Sequence, residues 1–251
     1  MRLRGAIRIS RQLSGLVLAA CACANAERLP TDVETPADTA PPIRIVPRDT
    51  VWDLDTRGLP RLIMADYIDL SRIASISRFR SSVGHDYSDA AERCRSMKHY
   101  FMPADPNQSA SIVIRSPVRG RLVRTFPEWA GTQLHIEPDS FPAFTIVLFH
   151  VQPDSGLAVG DAFERGERIG THVGPQTYSD VAIRVMTPGG FRLVSYIHAL
   201  SDSVWTHYAA RGLTSRDQAV ISRSERDADP LTCNGETFMT RGTLTDWIPL
   251  R

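Results

Sequence analysis

His85 and Asp89 stand four residues apart directly after Gly84, and an imidazole and a carboxylate at that spacing can both ligate zinc. The pair alone reads equally well as a histidine and a capping carboxylate in a tight loop. His150 closes the run Phe144, Ile146, Leu148, His150. That alternation puts it on one face of a strand, either as a working imidazole or as a hydrogen-bonded histidine at a sheet end. His99, His135 and His172 are candidate substitute ligands. Glu225, Asp227 and Asp229 lie in no EF-hand loop, so they read as a solvated acidic helix end. A serine hydrolase needs a G-x-S-x-G elbow and the chain has none, which leaves Ser195 and His198 as an ordinary surface pairing.

These residues need a scaffold, and short β-branched runs between Gly and Pro turns supply one. Strands are expected at 111–115, 121–126, 132–137, 143–151, 180–185 and 191–196, a mostly antiparallel β domain. Three-to-four spacing of apolar residues suggests a short helix over 64–73. Helices are also expected at 203–210 and 215–226, the second opening with the capping box Ser215-Arg216-Asp217-Gln218. The expected layout is a β domain over 51–200 and a C-terminal helical extension and tail over 201–251.

The motifs come in a telling order. After His85 and Asp89 follow Ser116-Pro117-Val118-Arg119-Gly120-Arg121-Leu122-Val123, then Phe149-His150, then the turn from Val159-Gly160-Asp161 through Gly166 to Ile169-Gly170. Together they resemble the lysostaphin-type (LytM-type) zinc peptidoglycan endopeptidases, over about residues 75–190. The resemblance implies an antiparallel duplicated hybrid motif sheet, with His85 and Asp89 as zinc ligands and His150 as the residue that polarises water or stabilises the tetrahedral intermediate. The same turn occurs in biotinyl and lipoyl carriers. Met97-Lys98 is a faint echo of their modified lysine, but it precedes the turn and lacks the following Met.

The departure is in the last motif. Where the family has H-x-H, this chain aligns Asp180-Val181-Ala182, so the third zinc ligand becomes a methyl group. Asp180, Ala182 and Arg184 share a strand face, and Arg184 is expected to bring positive charge to the site, pairing with Asp180 or Asp89 in place of a metal. Two functions follow as expectations. One is a non-catalytic binder of peptidoglycan or of a cell-wall hydrolase. The other is an active metallopeptidase with zinc rebuilt on His85, Asp89 and Asp180 and with His150 beside it.

The N-terminus places this chemistry in a compartment. Arg2, Arg4, Arg8 and Arg11 precede the short apolar run 15–20, an export signal too short for a permanent span. Leu18-Ala19-Ala20-Cys21 resembles a lipoprotein lipobox, with Cys21 lipidated; an ordinary signal peptide cut after Ala22 or Ala24 is the alternative. Ala22 then implies the periplasmic face of the outer membrane. Residues 21–50 form a Pro-rich tether. Removing 1–20 takes the formal charge from +1 to about −3, and the near balance of 29 basic and 28 acidic residues offers no field for nucleic acid. With Cys21 lipidated and Cys23 in the tether, Cys94 and Cys233 remain, paired in an oxidising compartment or buried as separate thiols.

Overall fold

The computed structural model describes residues 49–251, all within one compact unit. The leader, Cys21 and the tether up to residue 48 lie outside the described residues. The strands are β1 (Ile73–Ser77), β2 (His99–Pro103), β3 (Val113–Arg115), β4 (Gly120–Pro127), β5 (Thr132–Pro138), β6 (Phe144–Pro153), β7 (Ala162–Phe163), β8 (Arg168–His172), β9 (Ser179–Thr187) and β10 (Gly190–Val194). After α1 (Leu54–Arg57) near the start come α2 (Asp202–Ala210) and α3 (Arg223–Ala228), then β11 (Cys233–Asn234), β12 (Thr237–Phe238) and β13 (Trp247–Pro249). The architecture is mainly antiparallel β with short C-terminal helices.

One eleven-stranded sheet runs β13-β1-β2-β9-β6-β5-β4-β7, with β10 on β9 and β8 joining β3 and β6. Central β6 is buried on both faces, as its run of β-branched and aromatic residues requires. Phe144, Ile146 and Leu148 point into the main core. Val147 and Phe149 point to the other side, where Ala182, Phe79, Met97 and Leu193 form a second, smaller cluster.

Residues 64–73 are not the helix that their spacing suggests. Met64 N–H donates to the Pro117 carbonyl, Ile63 bridges Leu200, and Ile68 bridges Ile114. Leu62, Ile63, Tyr67, Ile68, Leu70 and Ile73 are all buried, so the backbone groups are satisfied by distant loops and the segment ends in a short 3-10 turn leading to β1.

The expected helix over 215–226 is also split. Ser215 makes no side-chain cap and starts only a 3-10 turn, Arg216–Ala219. Val220 and the phenylalanine of Phe79 form a bridge that stretches the chain, and the helix restarts at Ser222, whose hydroxyl and Glu225 make the complete capping box. The tail then returns to the main sheet as edge strand β13, pairing Ser75 with Pro249 and Ser77 with Trp247.

Candidate functional site

The site lies where β9 passes between β2 and β6. Register puts Asp180 opposite Tyr100 of β2 on one side and opposite Phe149 of β6 on the other. Period-two alternation puts Asp180 on the face of the small cluster, with Ala182 two residues on. A carboxylate in that position, with none of its surface exposed, needs a counter-charge.

Lys98 supplies it. Its Nζ stands 2.6 Å from Asp180 Oδ2, with the two side chains 1% and 0% exposed. The ammonium also donates to His85 Nε2 at 3.3 Å. Three rings enclose it: Phe149 at 4.0 Å, Tyr87 at 4.9 Å and Tyr100 at 5.0 Å from the ring centroids. Burial alone pulls the lysine pKa down, but the Asp180 carboxylate outweighs it and holds the group protonated well above the ordinary lysine value. His85 moves the other way, first through burial and then through the Lys98 charge. With Nε2 accepting from Lys98, the imidazole is neutral and its Nδ1 proton points to the Asp86 carbonyl at 3.0 Å.

His150 reaches the same place by a break in its strand. Between Thr132↔Val151 and Leu134↔Leu148 the β5–β6 ladder shifts register, and His150 takes a φ of 56°. This bulge spends about 1–3 kcal/mol of backbone strain. It turns the imidazole away from the Phe144, Ile146, Leu148 face and brings Nε2 to 3.6 Å from Asp180 Oδ1. Glu128 holds the bulge: its Oε2 accepts the His150 backbone N–H at 2.8 Å and lies 3.3 Å from Nδ1, which also faces the Ala130 carbonyl at 2.9 Å. His172, buried nearby on β8, is pushed down to about 4 by burial first and is coupled electrostatically to His150 and Asp180.

His85, His150 and Asp180 therefore gather around Lys98, and Asp89 does not join them. Asp89 Oδ1 accepts the Ala91 and Glu92 N–H groups, and Oδ2 accepts that of Leu193. Its carboxylate caps a turn and ties it to β10. Arg184 pairs with neither carboxylate, since its guanidinium lies over Phe191 at 4.8 Å, and the counter-ion expected there is Lys98 instead. His99 is buried against Ser77 and Ser195 and held neutral, pushed down to about 4 by burial. His135 bonds to Gln133 on another face.

Above this floor opens a cleft of about 430 Å³ lined by His85, Tyr87, Tyr100, Trp129, His150 and Glu236. Trp129 is 76% exposed at its rim, its ring 5.8 Å from that of His150. Gly84 sits where a Cβ would lie 2.0 Å from the Tyr100 hydroxyl, and its φ of 72° favours glycine as well. The opposite wall comes from the C-terminal tail. Cys94 and Cys233 form a disulfide, Cα atoms 5.8 Å apart, and the hairpin that follows hands the Glu236 carbonyl to the Asp86 N–H at 2.7 Å.

A divalent ion does not fit this donor set as it stands. His85 Nε2 and Asp180 Oδ2 both lie against the Lys98 ammonium, at 3.3 and 2.6 Å, so the positive charge a metal would bring is already there. Among the described residues no group of three or more His, Cys, Asp or Glu side chains is disposed to hold a metal.

No family model matches the chain, and no curated protein matches it significantly. The solved structures to which it is similar include the following three. A protein of Ruminococcus gnavus assigned as the glycyl-glycine endopeptidase lytM aligns at 16% identity and TM-score 0.33, over 40% of this chain and 44% of that one. Lysostaphin aligns at 12% identity and TM-score 0.29, over 42% and 47%. The SpoIIQ–SpoIIIAH pore forming complex aligns at 11% identity and TM-score 0.36, over 61% of this chain and 99% of that one. The chain thus spans less than half the length of the first two. At these scores and identities the likeness assigns no role to any residue.

Proposed function

We propose that this chain is an extracytoplasmic binding module, a lipoprotein anchored through Cys21 that holds peptidoglycan stem peptide or a wall hydrolase in the cleft without cutting it. The single observation that carries this reading is the Lys98–Asp180 pair on the cleft floor. Amide hydrolysis there needs a group to hold and deprotonate water. Asp180 spends its charge on Lys98, His85 spends its free lone pair on the same ammonium, and a lysine held protonated above its ordinary value is no base at neutral pH. What stays available is a groove with an exposed tryptophan at its rim, which suits recognition. The ligand class comes from the motif resemblance, and the compartment from the disulfide, which persists in oxidising surroundings.

The test is co-sedimentation with purified sacculi, with muropeptide release measured in the same tubes with and without added zinc. Retention on sacculi without release is the expected result. Capture of a wall hydrolase with no retention on bare sacculi would select the second ligand. Zinc-dependent release that disappears in His150→Ala would overturn the reading in favour of an active metallopeptidase.

A further inference from the structure

The floor of the cleft has the donors of a metal site and the occupant of an ion pair. Asp180 is wholly buried, and its Oδ1 accepts no hydrogen bond from any described residue although His150 Nε2 is 3.6 Å away. His85 Nε2 approaches from the cleft side, 3.3 Å from Nζ. Imidazole and carboxylate are the donor types that zinc and similar first-row ions take, and here the imidazoles of His85 and His150 approach the Lys98–Asp180 pair.

We propose that the Lys98 ammonium stands as a tethered cation where a divalent ion would have to sit, so that the floor around Asp180, His85 and His150 refuses metal as long as Lys98 is present. Its Nζ meets Asp180 and His85 at 2.6 and 3.3 Å. Zinc would need these donors at about 2.0–2.2 Å, a contraction of about 0.5 Å for Asp180 and about 1.2 Å for His85 that the ammonium itself blocks. An ammonium and a divalent ion a few ångströms apart also repel strongly even at an effective dielectric constant of about 20. Shape and charge therefore both exclude a metal while Lys98 is present. In exchange the chain carries its cation covalently, so the cleft keeps its geometry whatever the supply of metal outside. Phe149, Tyr87 and Tyr100 enclose the ammonium on its remaining sides, which explains three rings around a group that a metal-holding floor would not need. The inference concerns the floor alone and holds whichever ligand the cleft takes.

Zinc titration of the full chain against a chromophoric chelator, with melting followed in the presence and absence of EDTA, tests it. Wild type is expected to take up no stoichiometric zinc at micromolar concentration and to melt at the same temperature with EDTA or with zinc. Lys98→Ala is expected to bind one equivalent at least about 100-fold more tightly than wild type, by the removal of that repulsion. Adding Asp180→Asn or His150→Ala should abolish the gain, and Lys98→Met, which fills the space without charge, should bind little. The wild-type arm needs no variant: one equivalent of tightly held zinc lost in His85→Ala would overturn the proposal. Folded Lys98→Ala, with its disulfide intact, taking up no zinc would overturn it as well. Should Lys98→Ala fold only with zinc present, that dependence is itself the predicted binding.

Discussion

Replacing Asp180 by Asn keeps the shape of the cleft floor and deletes one charge, which leaves the Lys98 ammonium buried without its partner. Both side chains are essentially inaccessible, so the usual discount for solvent screening does not apply. Breaking a buried pair from one side costs about 3–5 kcal/mol, a large fraction of the stability of a domain this size. The pH dependence carries the sign of the effect. In the wild type the folded-state pKa of Lys98 is raised, because Asp180 outweighs burial. Its contribution is therefore fully present below the unfolded lysine value of about 10.4 and is lost as pH rises above that toward the folded value. In the Asn variant burial acts unopposed and the folded pKa drops below the unfolded one. Between those two values the unfolded chain binds more protons, and stability rises with pH. Urea unfolding followed by tryptophan fluorescence, at about pH 7 and about pH 9.5, reads both effects. Asp180→Asn should lower the midpoint strongly at the lower pH and partly recover at the higher, whereas wild type should change little between them. Pairing it with Lys98→Met closes a double-mutant cycle, and the double variant should be more stable than Asp180→Asn alone. A coupling energy below about 1 kcal/mol, or an Asn variant whose loss is independent of pH, would refute the reasoning.

Three further outcomes follow from the geometry. Trp129→Ala should weaken retention on sacculi while changing stability by no more than about 0.5 kcal/mol, because the ring is mostly in solvent; co-sedimentation and urea midpoints separate the two. Changing Cys94 and Cys233 to Ser removes a cross-link spanning 139 residues, worth up to about 5 kcal/mol in the chain-entropy model, and should raise hydrogen exchange at residues 85–99 and 233–240 while β5, β6 and β9 stay protected. Unchanged exchange there would make the bridge a passive staple with no hold on the Glu236 wall. Ser222→Ala should cost about 1 kcal/mol and Ser215→Ala close to nothing, since only the first makes a cap; equal losses in thermal melts would contradict the assigned helix start.

Much of the scaffold was legible in the chain itself. The runs that became β3 to β6, β9 and β10 alternate or stay apolar over strand lengths, and α2, capped by Ser201, begins at Asp202 close to where its pattern starts. Two cysteines left over in a chain read from its leader as exported also pointed to the bridge that is present. Such features are local, so neighbours in sequence carry them. The strands β1, β2 and β13 were not legible. No strand was expected at any of them: β1 begins where the helix expected over 64–73 ends, β2 precedes the first expected strand, and β13 lies in the tail. Non-local ladders such as Ser77 with Trp247 satisfy their backbone groups.

The site divides along the same line. That His85, His150 and Asp180 are chemically capable was evident from residue type and motif order, and Asp180 and Ala182 do share a strand face. Which of the capable residues meet was decided by tertiary structure. Asp89 has the composition of a ligand but is consumed by three backbone N–H groups, one of them from Leu193 in a distant strand. His150 reaches Asp180 only through a bulge that depends on Glu128 and on a register shift against β5. Lys98 had one sequence signal, a lysine set in the aromatic and apolar run Met97 to Met102, and that marks burial without naming a partner. Its partner is determined by the pairing of β2 with β9, because a buried charge is compensated by whatever charge the sheet register brings within about 3 Å, and register is a property of two strands together.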